Sequence, residues 1–324
     1  MGAQRKSYPR FKRGDDTPRI ELTDDDIAIL RYVHRYRFVR ADDLYRLFGE
    51  RSQDKLSRRL TRLYRNQFLD RPVAQVDRFR EGGSQALVYG LDTAGARFLK
   101  ETLNVPTGST DWKARNRSYT RENLEHTLLI SRFMIDLELG VRGHEGTEII
   151  PVEEIMQNAP EQTRRQPQPG RWPVELQWYG ARAEVHIIPD AIFGLRSIGA
   201  DGRVTRTFVF LEIDRGTMTI APARKVRESD GFLYRATILR KLLVYAESYR
   251  QALHTAHLGI PVARVLFLTT SASRAEAMRV AAEQFVIAPQ KITPGLFLFG
   301  GIPVINPLDA EFMNANGVPT RLIR

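Results

Sequence analysis

One stretch constrains this chain more than any other: residues 52–70, SQDKLSRRLTRLYRNQFLD. Leu56, Leu60 and Leu63 recur at i, i+4 and i+7, which puts three apolar side chains on one side of a 3.6-residue helix. Lys55, Arg58, Arg62 and Arg65 fall away from that ridge, and Arg59 stands at its flank. Such a helix packs on one face and offers the other to phosphates or to a major groove. A surface helix with arginines for solubility has the same pattern, so the neighbouring stretches have to decide.

Upstream, Thr23 precedes three aspartates, an N-cap followed by acids at the positive end of a helix dipole. Ile27, Leu30, Val33 and His34 continue the apolar face of that first helix. A second short helix over 41–48 turns Leu44, Leu47 and Phe48 inward; Gly49 ends it, and Ser52 stands where the third helix needs a cap. Downstream, Val73, Val76 and Phe79 against Ala86, Val88 and Leu91 are expected to form two strands around a Gly82-Gly83 turn. A closing helix should follow through Leu99. Helix, helix, basic helix, hairpin is the order of a winged helix-turn-helix, with Arg78 and Arg80 on the wing. Winged folds also serve as protein-interaction modules; the arginines of the third helix favour DNA.

Charge placement agrees. The net charge is +11, and residues 1–100 hold 22 Lys+Arg against 14 Asp+Glu, a net of +8 that leaves +3 for the remaining residues. A basic first third suits a polyanionic partner. Cys 0 removes disulfides, thiolate metal sites and cysteine nucleophiles, and suits a reducing cytoplasm. No segment approaches the roughly 18 apolar residues of a membrane helix, and the N-terminus lacks the apolar run of a signal peptide. We therefore expect a cytoplasmic protein without a membrane partner.

The expected organisation is a flexible basic arm at 1–20, the winged helix-turn-helix at 21–105, a linker at 106–120, an α/β domain at 121–310 and a tail at 311–324. The second domain should open on a long helix over 121–139, and 157–173, with QTRRQPQPGR at its centre, reads as a surface loop or disordered insertion. AEVHIIPDAIFGL and TRTFVFLEIDRGT read as strands, and a helix over 230–253 carries Lys241, Tyr245 and Tyr249. VARVLFLTT, SRAEAMRVAAEQ and GLFLFGG then alternate strand, helix, strand. The fold class is α/β, α+β overall, with some parallel pairing.

Chemistry concentrates in Pro189-Asp190 and Glu212-Ile213-Asp214. Adjacent strands bring Asp190 near Glu212, and period two puts Glu212 and Asp214 on one face. Clustered carboxylates suit Mg²⁺ and phosphodiester hydrolysis. The pattern resembles the PD-(D/E)xK nuclease core, a restriction-endonuclease-like fold whose carboxylates bind metal and whose lysine, two residues after the second acid, orients the attacking water. Pro189, Asp190 and Glu212 match; the lysine position holds Asp214, and Lys241, or Arg240 beside it, is the candidate for a displaced cation. The catalytic candidates are thus Asp190, Glu212, Asp214 and Lys241, and the metal candidates Asp190, Glu212 and Asp214, with no cofactor, or Mg²⁺ if the domain is catalytic. His254 and His257, one turn apart, read as a solvated helix terminus rather than a metal site. Tyr245 and Tyr249 share a helical face that could line a groove for single-stranded bases, and core packing explains them equally. No GxxxxGK[ST] phosphate loop and no GxSxG elbow is present.

Taken whole, the chain resembles the replication-relaxation family of plasmids and integrative elements. The winged-helix segment over 22–99, LEHTLLISRF, PDAIF, FLEIDRGT and RKLLVYAESY carry the resemblance. It implies a winged helix fused to a nuclease-like α/β domain acting on mobile-element DNA. Lys55, Arg58, Arg59, Arg62 and Arg65, with Arg78 and Arg80, are the expected contacts to double-stranded DNA. The second domain reads as a degenerate nuclease for dimerisation, a further DNA contact or a partner. A homodimer and replication or conjugation proteins stay open as partners. The alternatives are a Mg²⁺-dependent nicking enzyme and a transcriptional regulator of its own element.

Overall fold

The computed structural model describes residues 10–13, 19–49, 52–76, 86–107, 111–199 and 201–323. The chain has a mixed α/β fold in two compact units, residues 1–135 and 136–324.

The first unit opens on α1 (Asp24–Tyr36). Thr23 and Asp26 close a capping box at its start, and Ile29, Leu30, Val33 and Tyr36 form its buried face. β1 (Phe38–Arg40), α2 (Ala41–Phe48) and α3 (Gln53–Arg65) follow; α3 buries Leu56, Leu60, Leu63 and Tyr64. β2 (Leu69–Asp70) and β3 (Val88–Leu91) join β1 in an antiparallel sheet of order β1-β3-β2, and α4 (Thr93–Leu103) closes the motif.

The expected strand from Val73 is corrected. Val73–Gln75 is a 3₁₀ turn, with Val73 and Val76 exposed, and the strand lies earlier, at Leu69–Asp70. Val73 and Val76 are three apart, a spacing that cannot keep two side chains on one face of a strand. Gln75 instead pairs with β3 by its side chain, donating to Val88 O at 3.0 Å and accepting from Val88 N at 2.8 Å. The rest of the expected hairpin, with Gly82-Gly83, lies outside the described residues.

The linker expected at 106–120 is also corrected, because it holds α5 (Trp112–Arg117), whose Trp112 and Asn116 are buried. Asn116 Nδ2 donates to Asp70 Oδ2 at 3.0 Å and to Leu91 O at 2.9 Å, which ties α5 to the sheet. The arm expected at 1–20 is docked where it is described. Arg71 donates to Arg10 O at 2.6 Å, and Arg13 pairs with Asp92 and, at 3.3 Å, with Asp70. A core of Phe38, Val88, Leu124 and Leu128 joins the sheet to α6 (Arg121–Arg142), and the division between the units falls inside that helix rather than in a linker.

In the second unit β4 (Thr147–Ile150) leads to the short helices α7 (Val152–Asn158) and α8 (Glu161–Arg164). A separate hairpin of β5 (Trp172–Trp178) and β6 (Ala181–Ile187) follows. β7 (Ala191–Ile198) and β8 (Val204–Ile213) come next. The segment after β8 holds α9 (Arg224–Arg227) and a 3₁₀ turn at Asp230–Tyr234. Then come α10 (Ile238–Arg250), α11 (Leu253–Leu258), β9 (Ala263–Thr269), α12 (Ala272–Ala282), β10 (Phe297–Gly301), β11 (Phe312–Asn314) and β12 (Pro319–Thr320).

The seven-stranded sheet runs β12-β11-β10-β9-β8-β7-β4; β8, β9 and β10 are parallel and the other pairs antiparallel. β9, in the parallel centre, is almost entirely buried. Its core joins Phe210, Val265, Phe267, Phe297 and Phe299 to Leu242, Tyr245 and Met278 of the helices.

Three expectations give way here. AEVHIIPDAIFGL is two strands in two different sheets, broken around Pro189, which lacks the N–H a ladder needs. The loop expected over 157–173 contains the end of α7, all of α8 and the first two residues of β5, of which Trp172 is only 1% exposed. The tail at 311–324 adds two strands to the sheet and buries Leu322. Among the described residues no helix is long and apolar enough to cross a membrane.

Candidate functional site

On α3 the expected DNA-binding residues divide into two groups. Lys55, Arg58 and Arg62 are exposed. Arg58 donates to its own helix, to Asp54 O at 3.2 Å. Arg59 points elsewhere: its Nε donates to Asp26 Oδ1 at 2.8 Å, its Nη2 to Asp26 Oδ2 and, at 3.2 Å, to Glu21 O. Asp26 has no exposed surface, so Arg59 clamps α3 to the start of α1. Arg65 is half-buried, and Arg78 and Arg80 lie outside the described residues.

The carboxylates of the second unit also separate. β7 and β8 pair with Ala191 opposite Leu211, so Asp190 falls beside Glu212. Asp190 N donates to Leu211 O at 3.0 Å, and its Oδ2 accepts from Ile213 N at 2.7 Å. Glu212 is 3% exposed, and both its oxygens are engaged. Lys241 Nζ donates to Oε2, and the Tyr245 hydroxyl donates to Oε1 at 2.5 Å. Lys241 and Tyr245 stand one turn apart on α10 and so meet the same neighbour.

Asp214 turns to a different set. Its Oδ2 accepts from Arg274 Nε and Thr269 Oγ1, both at 2.6 Å, and from Gly216 N at 3.0 Å; Arg274 Nη2 reaches Oδ1 at 3.2 Å. The structure thus brings Asp190, Glu212 and Lys241 together and hands Asp214 to α12.

Titration follows from these partners. Burial raises the Glu212 carboxyl, against the pull of Lys241. Burial lowers the Lys241 ammonium, but Glu212 and Asp190 outweigh it and leave the group above its ordinary value. Burial, reinforced by Glu212, lifts the Tyr245 hydroxyl well above the usual tyrosine range. Burial alone would raise Asp214 too; the bonds from Arg274, Thr269 and Gly216 overcome it and hold that carboxyl below its usual range.

These residues fit a divalent cation poorly. Such an ion wants several oxygens with free lone pairs. Here both Glu212 oxygens already accept charged or hydroxyl donors, and Asp214 is committed to Arg274. Among the described residues no group of three or more His, Asp or Glu could hold a metal ion. His254 and His257 are not a solvated helix end either. His254 is 4% exposed and stacks on Tyr249 at 5.7 Å, and His257 Nε2 lies 2.8 Å from Pro169 O. Sequence reasoning missed Tyr245 as a partner of Glu212, although its i+4 spacing from Lys241 carried the signal. It missed Arg274 as well, which lies 60 residues from Asp214 with no local cue.

The sequence profile of the family described as Replication-relaxation matches residues 30–262. No curated protein and no solved structure matches the chain.

Proposed function

The chain belongs to the replication-relaxation family, which points to a role in plasmid or mobile-element replication, and from that premise we propose that it binds duplex DNA through the exposed face of α3. One observation carries the reading: Lys55, Arg58 and Arg62 share an exposed face, while Arg59 of the same helix is held by Asp26. The order α1-β1-α2-α3-β2-β3, with β3 between β1 and β2, supports a winged helix in which α3 is the helix offered to the groove. The three cations replace counterions condensed on the phosphates, so affinity falls as salt rises.

In the second unit β4, β7, β8, α10 and β9 follow in that order, with the β5–β6 hairpin and short helices inserted between them and with β8 and β9 parallel, which supports a nuclease-like scaffold. Glu212 neutralised by Lys241 and Asp214 bound to Arg274 favour a scaffold that contacts DNA or a partner without cutting. The test is fluorescence anisotropy on duplex DNA across a salt series. Arg58→Ala with Arg62→Ala should lower the slope of log K against log salt by about two. An unchanged slope would remove α3 as the DNA face. Supercoiled plasmid with Mg²⁺ or EDTA, beside Asp190→Ala, addresses cutting. Nicking lost in that variant would restore the enzymatic alternative, and intact plasmid supports the scaffold.

A further inference from the structure

Residues 101–324 carry a net charge of only +3, yet the segment 215–241 alone holds seven basic and two acidic residues, a net of +5. Lys225 and Arg235 in it are exposed, and among the described residues neither makes an ion pair. Arg224 is 80% exposed and pairs along its own turn with Glu228 at 2.7 Å. Trp178 Nε1 donates to Arg227 O at 2.8 Å, and the Trp178 ring lies 6.0 Å from Phe232. These contacts gather the tip of the β5–β6 hairpin, α9 and the 3₁₀ turn. Arg240 donates to Leu233 O at 3.0 Å, so the surface continues to the helix turn that carries Lys241.

Two tyrosines stand out on this surface: Tyr234 is 75% and Tyr179 62% exposed. Tyr179 has φ +46 and the following Gly180 φ +86, the paired positive values of a two-residue type I′ hairpin turn. The first position of that turn favours Asn, Asp or Gly and disfavours a bulky side chain. The chain holds an aromatic ring at a position whose backbone favours asparagine, and among the described residues its ring contact there is an edge-on one with Trp178 at 5.1 Å.

We propose that this surface binds single-stranded nucleic acid, with Tyr179 and Tyr234 stacking on bases and Lys225, Arg235 and Arg224 meeting phosphates. Exposed rings interleaved with cations form a stacking platform, and stacking needs base faces that a duplex hides. The proposal goes beyond the duplex reading of α3 and does not depend on it.

The test uses the full chain carrying Arg58→Ala and Arg62→Ala, so that α3 contributes little, and a labelled thymidine oligonucleotide of about 20 nucleotides. Tyr179→Ala and Tyr234→Ala should each weaken binding about tenfold, and the Phe variants should stay within about twofold, because the ring does the stacking. Tyr179→Asn should weaken binding while the thermal midpoint holds or rises, an outcome a merely structural tyrosine would not give. Absence of oligonucleotide binding overturns the proposal. So do tyrosine variants that bind unchanged, or inorganic polyphosphate competing as well as the unlabelled oligonucleotide. Duplex binding, read on the chain with α3 intact, fails or holds separately.

Discussion

The α3 helix and the end of β8 treat charge in opposite ways. On α3 three cations face solvent, and a fourth, Arg59, is sealed against a buried aspartate. At the end of β8 both acids are sealed, Glu212 against Lys241 and Tyr245, Asp214 against Arg274 and Thr269. An exposed charge is cheap to keep and free to meet a ligand; a buried charge is tolerated only with its partner and is hard to recruit for anything else. The difference teaches that residue type and spacing locate candidates, and pairing decides which of them remain available.

Removing Arg59 should break that contrast most sharply. Arg59→Ala leaves Asp26 buried without its counter-ion and should cost about 3 kcal/mol of unfolding free energy in urea. Asp26→Asn on the same background should recover part of the loss. If Arg59→Ala proves neutral, the clamp between α3 and α1 is not what holds the cationic face in place.

Lys241→Ala is the corresponding cut in the second unit. It should cost about 2 kcal/mol, less than a fully buried pair, because a third of the Lys241 side chain meets solvent. Replacing both partners by neutral groups of similar shape, Lys241→Met with Glu212→Gln, should bring stability back close to the starting value by the same urea measurement. Failure of that double variant would mean Glu212 answers to more than its ion pair.

Asp214 supplies the pH-dependent difference. Its folded-state pKa lies below its ordinary value, so its contribution is present above the unfolded pKa of about 4 and is lost as pH falls through the lower folded value. Asp214→Asn should therefore be about 1–2 kcal/mol less stable at neutral pH, with a flatter loss of stability between about pH 5 and 2. Equal acid limbs for the two proteins would show that Arg274 does not hold this carboxylate.

Local periodicity made α3 legible, since Leu56, Leu60 and Leu63 needed only a helix to become one buried ridge. The pairing of Asp190 with Glu212 was legible for a related reason: two strands consecutive in the chain and joined by a short connection have few registers, and one of them sets these residues side by side. What stayed hidden were partners distant in sequence. Arg59 finds Asp26 33 residues away and Arg274 finds Asp214 60 away, and neither spacing leaves a mark on its own segment. The three-residue β1 was too short to alternate visibly, and α5 was masked by the Pro, Gly and Ser that precede it although Trp112 is buried.

The smallest expected effect on stability is the most informative about function. Arg58→Ala with Arg62→Ala removes two charges that, among the described residues, have no side-chain partner beyond one bond to a helix carbonyl, so unfolding free energy should change by less than about 0.5 kcal/mol. The same variant should lose affinity for duplex DNA at low salt and converge on the unaltered chain at high salt, where counterion release contributes little. Arg59→Ala should do the reverse, losing stability first and affinity only as the helix loosens. If both variants lose stability alike, the cationic face is part of the scaffold and α3 needs another role. If only Arg59→Ala does, the division of α3 into one clamping arginine and three available cations stands.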